Sequence, residues 1–293
     1  MSLIESLSAE IGRVSGRTFR AASSRDAGGG CIHRALVLKG AGERWFVKLN
    51  AADALPMFEA ERDGLAALAE ADAFRVPHPL CCGIIGEEAY LVLEHLDLRP
   101  VAERANAVAF GRALAALHRK TGACYGWRRD NFIGATPQIN TEYDNWPRFF
   151  AAARLLPQLE RAAARGRALL TRGESLAEKL PAFFLDHRPQ PSLLHGDLWH
   201  GNAAMCGETP AAFDPAVYCG DRECDLAMTE LFGGFPEAFY AAYREAWPLA
   251  DGYETRKTIY HLYHVLNHLN LFGSGYLRQA ERMIDQLLAE LRG

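Results

Sequence analysis

The chain has 293 residues, 49% of them hydrophobic, and a formal net charge of −4, so it can bury a sizeable core and divide into two lobes. The acidic balance and the lack of a long basic block argue against a nucleic-acid partner, and no apolar run is long enough to cross a bilayer. The seven cysteines are odd in number and contain no C-x-x-C pair, which argues against a disulfide framework and a zinc ribbon. Met1 to Arg20 lacks the basic start and apolar stretch of a secretory signal, so the expectation is a cytoplasmic protein.

Ile4 to Val14 can form an opening helix. Gly28-Gly29-Gly30-Cys31 follows, and Ala35 to Leu38 and Trp45 to Leu49 read as strands joined by Gly40-Ala41-Gly42. Glycines before a strand let backbone amides approach a phosphate closely. The full G-x-G-x-x-G of protein kinases is absent, so a plain flexible connection is the alternative. In a phosphate loop, Cys31 would meet the positive potential and exposure that make a thiol reactive, a candidate redox site; the other reading is a small packing residue.

Lys48 ends the run Trp45-Phe46-Val47 and is the candidate phosphate-binding lysine. Asp53 can cap a helix from about Ala54 to Glu70, with Phe58, Leu65 and Leu68 on its buried face. Glu61 falls inside that apolar arc and Glu59 points away from it. A carboxylate on an inward face needs a partner, which favours Glu61 over Glu59 as the partner of Lys48. Pro77 and Pro79 precede a second hairpin, Leu80 to Ile85 and Ala89 to Leu93. Glu94-His95-Leu96 then leaves the sheet, at the junction where a two-lobed kinase places its adenine-binding hinge.

Val101 to Arg119 reads as a helix. Gly122 to Trp146 reads as a long ordered loop, weighted by Trp127, Phe132, Tyr143 and Trp146. Further helices are expected over Phe149 to Arg165, kinked or divided at Pro157, and over Leu176 to Phe184. Gly220 to Leu231 starts another, with Asp221 as N-cap and Asp225 tying down the loop before it. The last third is helical and aromatic. His261, His264 and His268 lack the neighbouring Glu of a zincin helix, so no zinc site is expected.

The chemistry-bearing stretch runs from Leu193 through His195-Gly196-Asp197-Leu198-Trp199-His200-Gly201-Asn202 to Phe213-Asp214-Pro215. Ala203 to Cys206 and Ala211 to Phe213 read as strands around a Gly207-to-Pro210 turn. Such a hairpin brings Asn202 and Asp214 together at its open end. An Asp, an Asn five residues later and a second Asp match the phosphoryl-transfer pattern in which the first Asp takes the substrate proton and the other two hold magnesium. The candidate base is therefore Asp197, with Asn202 and Asp214 as candidate Mg2+ ligands on ATP. Trp199 and His200 lie beside the base and can wall a sugar or cation site.

These blocks resemble the fructosamine kinases, or ketosamine-3-kinases, over nearly the whole chain. The resemblance rests on Leu194-His195-Gly196-Asp197-Leu198-Trp199 with Gly201-Asn202, on Asp214-Pro215-Ala216 with Gly220-Asp221-Arg222-Glu223, and on Glu230 to Pro236. Phe46-Val47-Lys48, Pro137-Gln138 with Asn140, and Leu266-Asn267-His268 add to it; His200 departs from the family serine. The resemblance implies an α+β, two-lobed, protein-kinase-like fold: residues 1–96 with a five-stranded antiparallel sheet plus helix and the hinge, and residues 97–293 mostly helical. It implies ATP-dependent phosphorylation of the sugar 3-hydroxyl of ketosamines, free or on glycated amines and proteins, by a monomer or homodimer. It adds Arg222, Glu223, Asn267 and His268 as substrate residues. The rival readings are a kinase for another hydroxylated amine, such as an aminoglycoside, and a catalytically silent nucleotide-binding regulator.

Overall fold

The computed structural model describes residues 1–28 and 32–292. Helix α1 (Leu3–Ser15) opens with reciprocal Ser2–Glu5 capping bonds that satisfy two orphan amides. Five antiparallel strands follow: β1 (Ser23–Asp26), β2 (Arg34–Gly40), β3 (Glu43–Ala51), β4 (Pro79–Ile85) and β5 (Glu88–Glu94), in the spatial order β1-β2-β3-β5-β4. Helix α2 (Leu55–Ala71) lies between β3 and β4 in sequence. β5 is buried on both faces, and its two-residue period sorts the contacts. Tyr90 and Val92 join Leu7 and Ile11 of α1 in one cluster; Leu91 and Leu93 join Phe58, Leu65 and Leu68 of α2 in another.

Asp53 is not the cap of α2. It lies in a single 3-10 turn, Ala52–Ala54, and Ala54 occupies the cap position without a side-chain bond. Pro56 in the first turn has no N–H, so one orphan donor is absent without a capping side chain.

After β5 the chain forms β6 (Leu98–Arg99), α3 (Arg104–His118), the small hairpin β7 (Asn131–Ile133) and β8 (Thr136–Gln138), then α4 (Trp146–Phe150) and α5 (Leu156–Ala162). A π turn, Ala151–Leu155, separates α4 from α5, and Pro157 sits in the first turn of α5, so the helix divides where the proline anticipates it. α6 (Arg167–Lys179) begins nine residues before the expected Leu176. Gly173 weakens the helical signal there, but a Cβ at that position would strike Leu159 of α5, so the glycine serves close helix packing.

The remaining elements are β9 (Ser192–Leu194), β10 (Ala203–Cys206), β11 (Thr209–Ala212), β12 (Tyr218–Gly220), α7 (Glu223–Leu231), α8 (Glu237–Ala246), α9 (Tyr253–Phe272) and α10 (Leu277–Glu290). Two seams join the sheet to this helical part. β6, three residues past β5, pairs with β10, and Arg75, between α2 and β4, pairs with Ala211 of β11. The cluster under α2 also continues through Phe110, Phe239 and Tyr243, so apolar packing crosses from one lobe to the other. Among the described residues, no helix is long and apolar enough to cross a membrane.

Phe110 is fully buried and packs its ring on Phe74, Phe235 and Phe239, with centroids 4.8, 5.7 and 6.1 Å away. Phe110→Ala is expected to cost about 3–5 kcal/mol, read as a lower urea midpoint; an unchanged midpoint would contradict this placement of the shared core.

Candidate active site

The β10–β11 hairpin has a two-residue turn, Gly207-Glu208, with Cys206 paired to Thr209 and Ala203 to Ala212, so β11 starts two residues earlier than expected. Its open end carries Asn202 and Phe213, joined by the Phe213 N–H donating to the Asn202 carbonyl at 3.2 Å. Asn202 and Asp214 thus stand side by side, as the hairpin reasoning requires. Asp214 has φ +57°, a left-handed conformation that Asp tolerates better than most residues.

The Asn202 amide donates to the Asp197 carbonyl at 2.9 Å and to Asp197 Oδ2 at 3.2 Å. Lys48 Nζ lies 2.6 Å from both Glu61 Oε1 and Asp214 Oδ1. The Lys48 and Glu61 side chains are 7% and 11% exposed, so each needs the other's charge. Burial works against the ammonium, but Asp214 and Glu61 outweigh it and raise the Lys48 pKa. Glu59 faces Arg129 at 3.8 Å instead, so the helical-face argument selected the carboxylate that meets the lysine. Asn202 Oδ1 and Asp214 Oδ2 accept no hydrogen bond among the described residues, and two such oxygens form a donor set that fits Mg2+.

The 195–202 loop is held from below by Asp225 of α7. Its carboxylate accepts the N–H groups of His195 (2.7 Å) and Gly196 (2.8 Å), and Nε2–H of buried His118 at 3.1 Å. Burial tends to raise the Asp225 pKa, but these bonds prevail and lower it. His118 Nδ1 accepts from the Tyr243 hydroxyl at 2.8 Å, which accepts in turn from Arg222 at 2.9 Å. Gly196 has φ +82°, and a Cβ there would collide with the Ala216 carbonyl, so the loop lies flat on the Asp214-Pro215-Ala216 segment. His195 is neutral: burial lowers its pKa, Nδ1 accepts from the Asp197 N–H, and Nε2–H donates to Phe213 O.

A cavity of about 920 Å³ opens above this floor. It is bordered by Gly28, Lys48, Glu61, Glu94, His95, Leu96, Asp197, Trp199, Asn202, Asp214, Asn267 and His268. The backbone groups of His95 and Leu96 make no hydrogen bond among the described residues. The Glu94 side chain pairs with Arg75. Gly29, Gly30 and Cys31 lie outside the described residues.

Three expected substrate residues do not reach the cavity. Arg222 and Glu223 are buried beneath it: Arg222 donates to Tyr243 and to the carbonyls of Trp247 and Pro248, and Glu223 forms a two-pronged pair with Arg256 at 2.7 and 2.9 Å. Both serve packing and loop support. His200 is exposed, edge-on to Trp199 at 4.8 Å, and outside the lining. Asn267 borders the cavity, but its amide bonds Gln158 and the Ile133 carbonyl. Trp199 lies over Gly201, where a Cβ would strike the indole, and the His268 ring is tilted against Phe232 with centroids 4.6 Å apart. His261, His264 and His268 do not converge. The grouping within metal-binding reach among the described residues is His187, Asp221 and Glu223, and there Arg256 already neutralises Glu223.

The 122–146 segment supplies support that composition alone did not assign. Gln138 and Asn131 donate to the carbonyls of Ala216 and Val217, and Arg154, buried against the Tyr218 ring, holds Asn140. Trp127 and Arg128 both donate to Asp63 of α2. The block Pro137-Gln138 with Asn140 was the available signal.

A buried lysine–glutamate pair, a paired Asn and Asp, and a cavity between a five-stranded lobe and a helical lobe define the class of kinase-like phosphotransferases. The fructosamine kinase family model matches residues 3–290, and the chain belongs to that family. A Synechocystis protein named a probable ketoamine kinase is 45% identical over 97% of this chain and 96% of its own. The chloroplastic protein-ribulosamine 3-kinase of Arabidopsis thaliana is 40% identical over 90% of this chain and 82% of its own. A crystal structure from Haemophilus somnus, described as a candidate fructosamine-3-kinase, superposes with a TM-score of 0.89 at 30% identity, covering 96% of each chain. A thermostable mutant of the aminoglycoside phosphotransferase APH(4)-Ia, at 14% identity and a TM-score of 0.66 over 100% of this chain and 98% of its own, shares the fold.

Burial, reinforced by the charge of Asp214 and opposed by the Asn202 amide, raises the Asp197 pKa from 3.8 to about 7. Below that pKa the carboxyl is protonated and has lost the charge with which it could accept a proton. In the metal-free protein the Asp197 carboxyl, followed by ¹³C NMR, is expected to titrate nearer about 7 than 3.8; a titration in the ordinary carboxylate range would contradict this environment for Asp197.

Proposed function

We propose that the protein transfers the terminal phosphoryl group of ATP, with Mg2+, to the sugar 3-hydroxyl of ketosamines, either small molecules or adducts on glycated proteins. The observation that carries this reading is the convergence of Asp197, Asn202, Asp214 and the Lys48–Glu61 pair on one cavity. Family membership and the ketoamine and ribulosamine names of the relatives support the substrate class.

In this reading the adenine meets the free backbone groups of His95 and Leu96, and the Lys48 ammonium, braced by Glu61, meets the phosphates. Asn202 Oδ1 and Asp214 Oδ2 would hold magnesium, which supplies charge neutralisation on the phosphates. Asp197 orients the acceptor hydroxyl and accepts its proton as the oxygen attacks phosphorus and ADP leaves. Most of the acceleration comes from positioning and fixed charge. Residues 1–96 supply the nucleotide side and residues 97–293 the acceptor side.

Charge inside the cavity favours a ketosamine over an aminoglycoside. The carboxylates bordering it are Glu61, Glu94, Asp197 and Asp214. Lys48 engages both Glu61 and Asp214 and Arg75 engages Glu94, which leaves Asp197 as the carboxylate without a cation. A polycation would lack partners there, whereas a sugar with one amine finds the aromatic wall of Trp199, Phe232 and His268. Retention of both Asp197 and Asp214, the Asn and the ion pair also speaks against a silent regulator.

A panel of ketosamines and aminoglycosides tests the reading. ADP release should be stimulated by ketosamines alone. Asp214→Asn should abolish turnover without unfolding the protein, and Asp197→Asn should depress kcat by orders of magnitude while ATP affinity stays near normal. Wild-type rates in either variant, or stimulation by aminoglycosides alone, would contradict it.

A further inference from the structure

We infer that His33 is a nucleotide-binding residue whose neutral imidazole donates its Nε2–H to a phosphate oxygen; the inference rests on the nucleotide site proposed above. β2 and β3 pair with Ala35 opposite Lys48 and Arg34 opposite Leu49, so continuing the register sets His33 opposite Asn50. Side chains alternate along a strand, so Lys48, Asn50, Ala35 and His33 share one face. That face roofs the cavity, and His33, Ala35 and Lys48 border it.

Hydrogen bonds fix which ring nitrogen carries the proton. Asn50 Oδ1 accepts the Ala51 N–H at 2.8 Å, which orients the amide. Its Nδ2, which can only donate, lies 2.9 Å from His33 Nδ1. Nδ1 is therefore the acceptor and Nε2 bears the hydrogen. No hydrogen bond reaches Nε2 among the described residues. The fully buried Phe58 ring, 4.9 Å away, holds the imidazole on one side. Burial and the Lys48 charge, opposed by Asp214, bring the His33 pKa down to about 4, so the ring is uncharged near neutral pH.

An uncharged donor suits this position. A second cation beside Lys48 would repel it, whereas a neutral N–H adds a hydrogen bond to a phosphate oxygen without adding charge. No glutamate or aspartate shares the donor, and the ring is positioned by Asn50 before any ligand arrives.

The test is calorimetric binding of Mg-ADP and of adenosine to the full chain. His33→Leu removes the donor. His33→Asn places its amide near Nδ1, short of the Nε2 position, and serves if the leucine variant does not fold. His33→Gln restores a donor near Nε2. The leucine and asparagine variants are expected to bind ADP about tenfold more weakly, the scale of one hydrogen bond to a charged acceptor, while glutamine recovers most of the loss and adenosine binds all alike. Wild-type ADP affinity in the leucine and asparagine variants, or equal weakening of adenosine, would overturn the inference and leave the site standing. A wild-type chain that binds neither ligand would overturn the nucleotide site and this inference together.

Discussion

The architecture of the cleft depends on one buried ammonium. Lys48 Nζ reaches Glu61 on α2 and Asp214 after β11, each at 2.6 Å, and so ties strand, helix and hairpin at a single atom. A buried charge that loses its partner costs several kcal/mol, so the three elements are held in one arrangement. Glu61 is fixed from both sides of α2. Gly64 lets the helix lie against Pro215 and Val217, and Asp63 is gripped by Trp127 and Arg128 from the 122–146 segment. The helix bearing the carboxylate is therefore docked on the helical lobe before any ligand is present.

A second constraint follows from backbone chemistry. The 195–202 loop and the 214–217 segment belong largely to no long strand or helix, yet His195, Gly196, Leu198, Asn202, Ala216 and Val217 are buried, and buried N–H and C=O groups must be paired. Side chains from distant elements supply the partners: Asp225 to the amides of His195 and Gly196, Gln138 and Asn131 to the carbonyls of Ala216 and Val217. Behind Asp225, the chain His118–Tyr243–Arg222 reaches α8. Much of the polar interior is thus spent on holding two short coils rigid, the condition under which fixed dipoles act on a reacting group without reorganising.

What the sequence disclosed follows the same physics. Alternation and helical periodicity made β2 to β5 and most helices legible, and the apolar arc of α2 singled out Glu61 over Glu59. β1 was silent because Ser23–Asp26 are all polar and exposed, so no alternation marks them. α6 was shortened by Gly173, a local weakness that packing on Leu159 overrides. Arg222 and Glu223 sit beside the chemistry in sequence but beneath it in space, because α7 turns them toward Tyr243 and Arg256. The 122–146 segment read only as an ordered loop, since its work consists of contacts to residues 60 to 90 positions away that no local pattern encodes.

The most direct measurement is ³¹P and ¹³C NMR of the purified chain with Mg-ATP and a ribulosyl- or fructosyl-amine labelled in its sugar. ADP and a new phosphate monoester are expected in equal amounts, with phosphorus coupled to the carbon bearing the sugar 3-hydroxyl. ATP consumed without such an ester, or a phosphate on another position, would contradict the proposed reaction.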